Sequence, residues 1–262
     1  WHAALGRPSS VLLAEQGADR GFLAADLLHS IASFHPELRA AARMQLVEPL
    51  PSLAAQQKER LHQLGDSFPL HWHHDLADFN SEKMPCFFYS SELVDSFPVR
   101  LVRHRAGTWQ ELFVHWADGS FDWSEQPASP DLLQEIQRWK VPPIEGFTTE
   151  IRPSAGPWIR TLGQRIPQGL ILTLDYGLSA PDLYHPTRSA GTLSALRAHL
   201  RSPDPLADPG HQDLTSHVNF TELTQEGEQE EILTLGLADF SQGLTRLAEP
   251  LLSEGKILPE KW

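Results

Sequence analysis

The chain reads as an α/β protein built on a mainly parallel sheet, and three features of the sequence predict this. Short apolar runs without polar alternation, such as Val11–Ala14 and Cys86–Ser90, recur between amphipathic stretches. Such runs are expected of strands covered on both faces. The runs end in acidic residues: Glu15, Glu48, Asp75, Glu92 and Asp175. The first run passes through Gly17 and Gly21 directly into a helical pattern, the strand–turn–helix unit of such sheets.

Taken in order, Val11-Leu12-Leu13-Ala14 is the first strand and Glu15 ends it. A helix opens at Phe22 and stops near Phe34, before His35-Pro36. Met44–Glu48 is a second strand, after which Pro49 and Pro51 open a helix over Ser52–Leu64. Phe68–His74 is a third strand ending at Asp75, and Cys86–Ser90 a fourth. After Pro98 the pattern changes. Val99–Arg103, Trp109–Trp116 and Gly119–Trp123 read as strands with Gly-containing turns, a small antiparallel insertion over 99–147. Asp131–Trp139 is a short helix, and helix is expected again from Glu150 to Arg165. Gly169–Gly177 is the strongest strand, with Asp175 and Tyr176 at its carboxyl end. Segment 178–219 is a long loop, rich in Pro, Gly, Asp and His and holding Tyr184, Arg188 and His199. Loops of that length are usually functional or disordered, and its aromatic and charged residues favour an ordered lid. Phe220–Glu226 starts a helix, Ile232–Leu235 a late strand, and Leu237–Leu252 a final helix.

The 262 residues suffice for one sizeable core, so a single domain over 1–262 is expected. The net charge of −13 argues against a nucleic-acid partner, since there is no basic field to exchange for counterions. A lone cysteine, Cys86, makes no intrachain disulfide or cysteine–zinc cluster and fits a reducing compartment. No apolar run approaches membrane-spanning length, and no signal peptide is visible. The chain opens on Trp1, with the first strand only ten residues in, so a processed, truncated or fragmentary N-terminus is expected.

Ligands of parallel sheets bind at the carboxyl ends of the strands. Glu15 is placed to accept hydrogen bonds from a cofactor, beside a turn at Gly17 and Gly21 that brings backbone N–H groups close to a ligand. Glu48 suits the two hydroxyls of a ribose, or serves as a helix N-terminal charge. Asp75 suits an adenine amino group, or is a solvated loop carboxylate. Glu92 and Asp95 suit orientation or deprotonation of a nucleophile, or cap a helix. His71, His73 and His74 cluster without further ligands at zinc-site spacing, so no metal is expected. Asp213, Ser216 and His217 use the vocabulary of a hydrolase without a Gly-x-Ser-x-Gly elbow.

Longer strings carry a resemblance. AEQGADRG (14–21), LVEPLPSL (46–53), SELVDSFPV (91–99), EIRPSAGPW (150–158), LDYG (174–177), YHPTRSAGTL (184–193), DPLADPG (204–210) and QDLTSHVNF (212–220) occur in that order. Together they resemble the MidA family of S-adenosylmethionine-dependent methyltransferases. The resemblance implies a Rossmann-like class I methyltransferase sheet, mostly parallel with one late antiparallel strand, plus the small β insertion and the lid loop. It implies S-adenosylmethionine as cofactor, with Glu15, Gly17, Ala18 and Gly21 around its methionine part, Glu48 at the ribose, and Asp75 and Leu76 at the adenine. Glu92, Asp95, Asp175, Tyr176 and His217 would face the substrate, a protein arginine side chain. A protein partner, a homodimer, and a cytoplasmic location (the mitochondrial matrix in a eukaryote) follow as expectations. The family's loop runs E-x-G-x-G-x-G, and here Asp19 takes the middle glycine; Ser91 takes the place of a usual Asn. The alternatives are a non-catalytic member kept as a protein-binding module and, from another class, a hydrolase.

Overall fold

The computed structural model describes residues 1–63, 68–197 and 200–253, without the side chains of 247, 248 and 250–253. Leu64, the expected end of one helix, and His199 lie outside the described residues. By internal contacts the chain forms two compact units, 1–232 and 233–262.

The first unit is built on β1 (Val11–Gln16), β2 (Ala42–Val47), β3 (Leu70–His73) and β4 (Cys86–Ser91). Between them lie α1 (Phe22–Phe34), α2 (Pro36–Ala41) and α3 (Pro51–His62). The short α2 was hidden by His35-Pro36. That proline stops α1 yet opens the next helix at its first position, where its missing N–H costs nothing.

After β4 the chain leaves the sheet for β5 (Arg100–Arg105), β6 (Thr108–Ala117), β7 (Ser120–Pro127), α4 (Pro130–Arg138) and β8 (Thr148–Ile151). These strands form an antiparallel sheet in the order β7-β6-β5-β8. The helix expected from Glu150 therefore begins later, at α5 (Ala155–Arg165). Residues 148–151 pair instead with β5, from Arg100↔Ile151 to Arg103↔Thr148. Pro153 disfavours helix at Arg152, so the helical pattern cannot extend back through Glu150.

The chain then returns as β9 (Gly169–Leu174), completing a five-stranded sheet in the order β3-β2-β1-β4-β9. Every neighbouring pair in it is parallel. The strand order reverses between β1 and β4, the place where such sheets bind ligands. The two faces of β1 separate the core. Val11 and Leu13 pack with Ala24, Leu28, Ile31 and Leu61 of α1 and α3. Leu12 and Ala14 pack with Phe88 and with Trp158, Ile159 and Leu162 of α5. Burying each large side chain stabilises by roughly 1.5–3 kcal/mol.

Segment 178–219, expected as one long loop, is folded. It holds β10 (Gly177–Leu178), α6 (Ala180–Leu183), β11 (Ser194–Arg197), β12 (Leu200–Ser202), β13 (Asp213–Thr215) and β14 (Val218–Asn219). β10 and β14 pair with each other, so the two ends of the segment meet. α7 (Phe220–Glu228) follows, capped by the Asn219 side chain accepting from the Glu222 N–H.

Residues 232–235, expected as a late strand, carry no strand pairing. The Ile232 N–H closes the end of α7 on the Gly227 carbonyl, and its side chain packs on the core near Gly163. Ile232 is thereby spent on capping a helix, and the central sheet has no antiparallel strand among the described residues. The second unit contains α8 (Phe240–Ser253), opened by Asp239 accepting from the Ser241 N–H and hydroxyl.

Candidate cofactor and substrate site

The parallel register brings the five acidic strand ends to one margin. Glu15 lies level with Leu46 and Tyr89, and Ser91 with Leu174. Glu48 and Glu92 extend the ladder by one bond each, to His73 and Leu174 carbonyls. Asp75 lies two residues beyond β3, and Asp175 directly follows β9.

Glu15 is 2% exposed and accepts the Tyr89 hydroxyl at 2.9 Å. Burial pushes its carboxyl up to about 7, and the Tyr89 bond offsets part of that. The following turn needs left-handed backbone at Gly17, Asp19 and Gly21, with φ of 78°, 44° and 77°. Asp19 tolerates it better than most residues. A Cβ on Gly17 would meet Leu93 Cδ1 at 2.9 Å, so the turn after β1 packs closely on the turn after β4, and its left-handed backbone favours glycine there. Ala18 is buried, and its carbonyl accepts the Gly21 N–H. The α1 ladder starts with Ala25 bonding Gly21, leaving the preceding N–H groups at a helix start able to receive an anionic group.

Glu48 is 6% exposed and accepts from the Leu50 N–H and from the Gln57 amide, both at 2.9 Å. Asp75 is exposed and accepts the Ala77 N–H at 2.8 Å, and Leu76 beside it is buried.

On the other side of β4, Asp175 accepts the Val94 N–H at 2.9 Å and the Asp95 N–H at 3.3 Å. Burial, then the Asp95 charge, push it up to about 6. Asp95 is 7% exposed; its Oδ2 accepts the Thr215 hydroxyl, while its buried Oδ1 has no partner among the described residues. Tyr176 is exposed and hydrogen-bonded to exposed Glu92, whose charge raises the phenol. His217 is half-buried. Burial, then Arg188, Arg201 and Arg152, lower it, so the ring is neutral at pH 7. Its Nδ1 also lacks a partner among the described residues. The sequence-predicted carboxylates therefore share one margin, with Asp95, Asp175 and His217 grouped beyond β4 and β9.

Two residues with no sequence-predicted role organise that group. Arg152 is 6% exposed and donates to the Asp95, Ser216 and His217 carbonyls and to the Ser216 hydroxyl. Burial lowers it, while Asp175, Asp95, Glu150 and Glu222 favour its charge. Glu150 accepts from the Thr192 and Leu193 N–H groups and the Thr192 hydroxyl. Gly191 packs on its Oε1, leaving no room for a Cβ. Thr192 in turn accepts the His217 N–H. One two-residue step at the end of β8 thus grips segment 178–219 near both Thr192 and Ser216. The only available signal was the string EIRPSAGPW, in which Glu150 and Arg152 stand two positions apart.

A family model described as "Putative S-adenosyl-L-methionine-dependent methyltransferase" matches residues 1–238. The mitochondrial protein arginine methyltransferase NDUFAF7 of Xenopus tropicalis is 27% identical over 241 residues, 84% of this chain and 54% of that protein. Its Rattus norvegicus counterpart is 27% identical over 252 residues, 85% of this chain and 53% of that protein. The chain thus spans about half the length of these relatives. A Burkholderia thailandensis protein, crystallised with S-adenosyl-homocysteine, superposes with a TM-score of 0.74 at 29% identity, covering 87% of this chain and 58% of that one. No helix among the described residues is long and apolar enough to cross a membrane. With the family model matching most of its length and a mostly parallel central sheet, this chain belongs to the MidA-like family of S-adenosylmethionine-dependent methyltransferases.

Proposed function

We propose that the chain binds S-adenosylmethionine at the carboxyl margin of its parallel sheet and methylates a protein arginine side chain. The observation that carries this reading is the convergence of five acidic strand ends on that one margin. The residues present fit the cofactor. Each oxygen of Glu48 takes one protein donor and keeps a second acceptor position, as a ribose diol requires. Glu15, Gly17, Ala18 and Gly21 are assigned to the methionine part, Asp75 and Leu76 to the adenine.

When bound, the cofactor supplies an electrophilic methyl group on its sulfonium. The chain's part is orientation and desolvation of the acceptor nitrogen. Asp95 Oδ1, buried and unpartnered among the described residues, is assigned to hold a guanidinium N–H. Asp175 holds the turn at Val94 and Asp95 that aims it. Glu92, Tyr176 and His217 are assigned to the substrate side. The proposed partner is a protein, which fits an acidic chain meeting a basic side chain. The proposed compartment is reducing, the cytoplasm or, in a eukaryote, the mitochondrial matrix, in keeping with a single buried thiol.

Titration calorimetry with S-adenosylhomocysteine tests the cofactor half, and heat of binding at micromolar ligand is expected. Asp19→Gly should tighten binding and add on the order of 1 kcal/mol of stability, by relieving the left-handed backbone and removing a carboxylate from the anion-binding turn. No binding at millimolar ligand by either protein overturns the enzyme reading. It would favour the second one, a non-catalytic module, for which Asp19 in place of a loop glycine is the specific observation. Asp95→Asn should keep cofactor binding and lower methyl transfer to arginine peptides by about 100-fold, in the range of one lost preorganised electrostatic contact. Unchanged transfer by this variant removes Asp95 from the acceptor site.

A further inference from the structure

Gln57 lies on α3, is wholly buried, and has no part in the roles assigned above. Its amide is fully committed. The Trp72 indole, a donor only, bonds the amide oxygen at 3.0 Å. That fixes which way the amide faces. Its nitrogen then donates to the Asp19 carbonyl at 2.7 Å and to Glu48 Oε2 at 2.9 Å. One side chain therefore ties the turn after β1, the acidic end of β2 and the last residues of β3. Its stem also packs on Gly21, the residue that starts α1.

Hydrogen bonds to charged groups are the strong ones, and the Gln57–Glu48 bond is one of them, out of water. With one oxygen of Glu48 held by the Leu50 N–H and the other by Gln57, the carboxylate cannot rotate. Its remaining acceptor positions then point in a fixed direction. The same amide holds Asp19 in its left-handed conformation by the carbonyl, at the position where the family's loop has glycine.

We propose that Gln57 is a positioning residue for cofactor recognition, aiming Glu48 at the ribose hydroxyls and locking the Asp19 turn beside it. The inference rests on the cofactor reading above. It is tested by calorimetry on the whole chain with two probes, S-adenosylhomocysteine and its 2′,3′-dideoxy analogue. Gln57→Ala should weaken S-adenosylhomocysteine by about 10- to 100-fold, the range for a lost charge-assisted bond. The analogue should weaken far less, so the preference for the ribose hydroxyls collapses. A purely structural role would weaken both probes in parallel, and that result overturns the proposal.

Gln57→Glu keeps the size and guards against a variant that fails to fold. While the introduced carboxyl is protonated, its single O–H can still donate to Glu48, at the expense of the bond to the Asp19 carbonyl. Once both ionise they repel. Affinity should therefore be closest to that of the unaltered chain at pH 5 and fall steeply as pH rises to 8, a descent larger than the parent shows. An identical pH profile in variant and parent overturns the proposal. If the unaltered chain binds neither probe, the cofactor reading itself has failed; if it binds both equally, the ribose assignment of Glu48 has failed. Both results are told apart from a failure at Gln57 because they appear before any substitution.

Discussion

Replacing Arg152 with methionine should lower the unfolding free energy by about 3–5 kcal/mol at pH 8, the range for removing one partner from a buried charge cluster. The guanidinium is 6% exposed and surrounded by the charges of Asp175, Asp95, Glu150 and Glu222. Methionine fills much of the volume but leaves the Asp95, Ser216 and His217 carbonyls without their donor. The deficit should depend on pH. Asp175 and Glu222 already sit at about 6 and about 7 with the cation present. Without it both rise further, so ionising them in the folded state costs more. Both groups are protonated at pH 5 and the deficit shrinks; it grows as pH climbs through 6 and 7. Urea unfolding at several pH values reads this directly. Limited proteolysis gives a second readout, since segment 192–217 loses the anchor of its carboxyl-terminal leg and should be cut first. A variant within about 1 kcal/mol of the parent at pH 8, with that segment still protected, would show that Arg152 does not hold it.

Glu15→Gln should stabilise the chain above pH 7 and do little at pH 4.5. The folded-state carboxyl is raised from 4.5 to about 7, with burial as the main cause. A raised carboxyl favours the protonated form. Its contribution is fully present below the unfolded value, and is lost as pH rises through the folded value. The loss amounts to something on the order of 3 kcal/mol once the group is fully ionised. Glutamine never ionises and still offers Tyr89 an acceptor oxygen, so the gap between the proteins should open between pH 5 and 8. A gap that stays constant across that range would mean that Glu15 ionises freely in the fold. A ligand carrying an ammonium group near Glu15 would pull its proton off. Calorimetry of S-adenosylhomocysteine in buffers of different ionisation enthalpy should then register proton release near pH 7.

Much of the central sheet was legible because its signals are local. β1 and β4 show as unbroken apolar runs, and α1 ends where His35-Pro36 requires. The acidic strand ends needed only the rule that parallel sheets share one carboxyl margin. β8 was missed because a strand of four residues gives little periodicity and sat beside a strong helix pattern. Ile232–Leu235 was misread for the opposite reason. It has the composition of a strand, but Ile232 caps α7 and packs near Gly163, a use that composition does not encode. Segment 178–219 was expected as one long ordered loop, because the short strands within it are too brief to announce themselves in sequence.

What the amino-acid order determined by itself was the strands and helices of the central sheet from β1 to β4, the turn at Gly17 and Gly21, and the placement of Glu15, Glu48, Asp75, Glu92 and Asp175 at strand ends. Each depends on residues close together in the chain. What only tertiary structure decided was which side chains hold those carboxylates in place. Gln57 reaches Asp19 across 38 positions, Glu150 reaches Thr192 across 42, and Arg152 reaches Ser216 across 64. A buried amide or guanidinium is tolerated only where distant backbone and carboxylate groups converge on it, and that convergence exists only once the chain has folded.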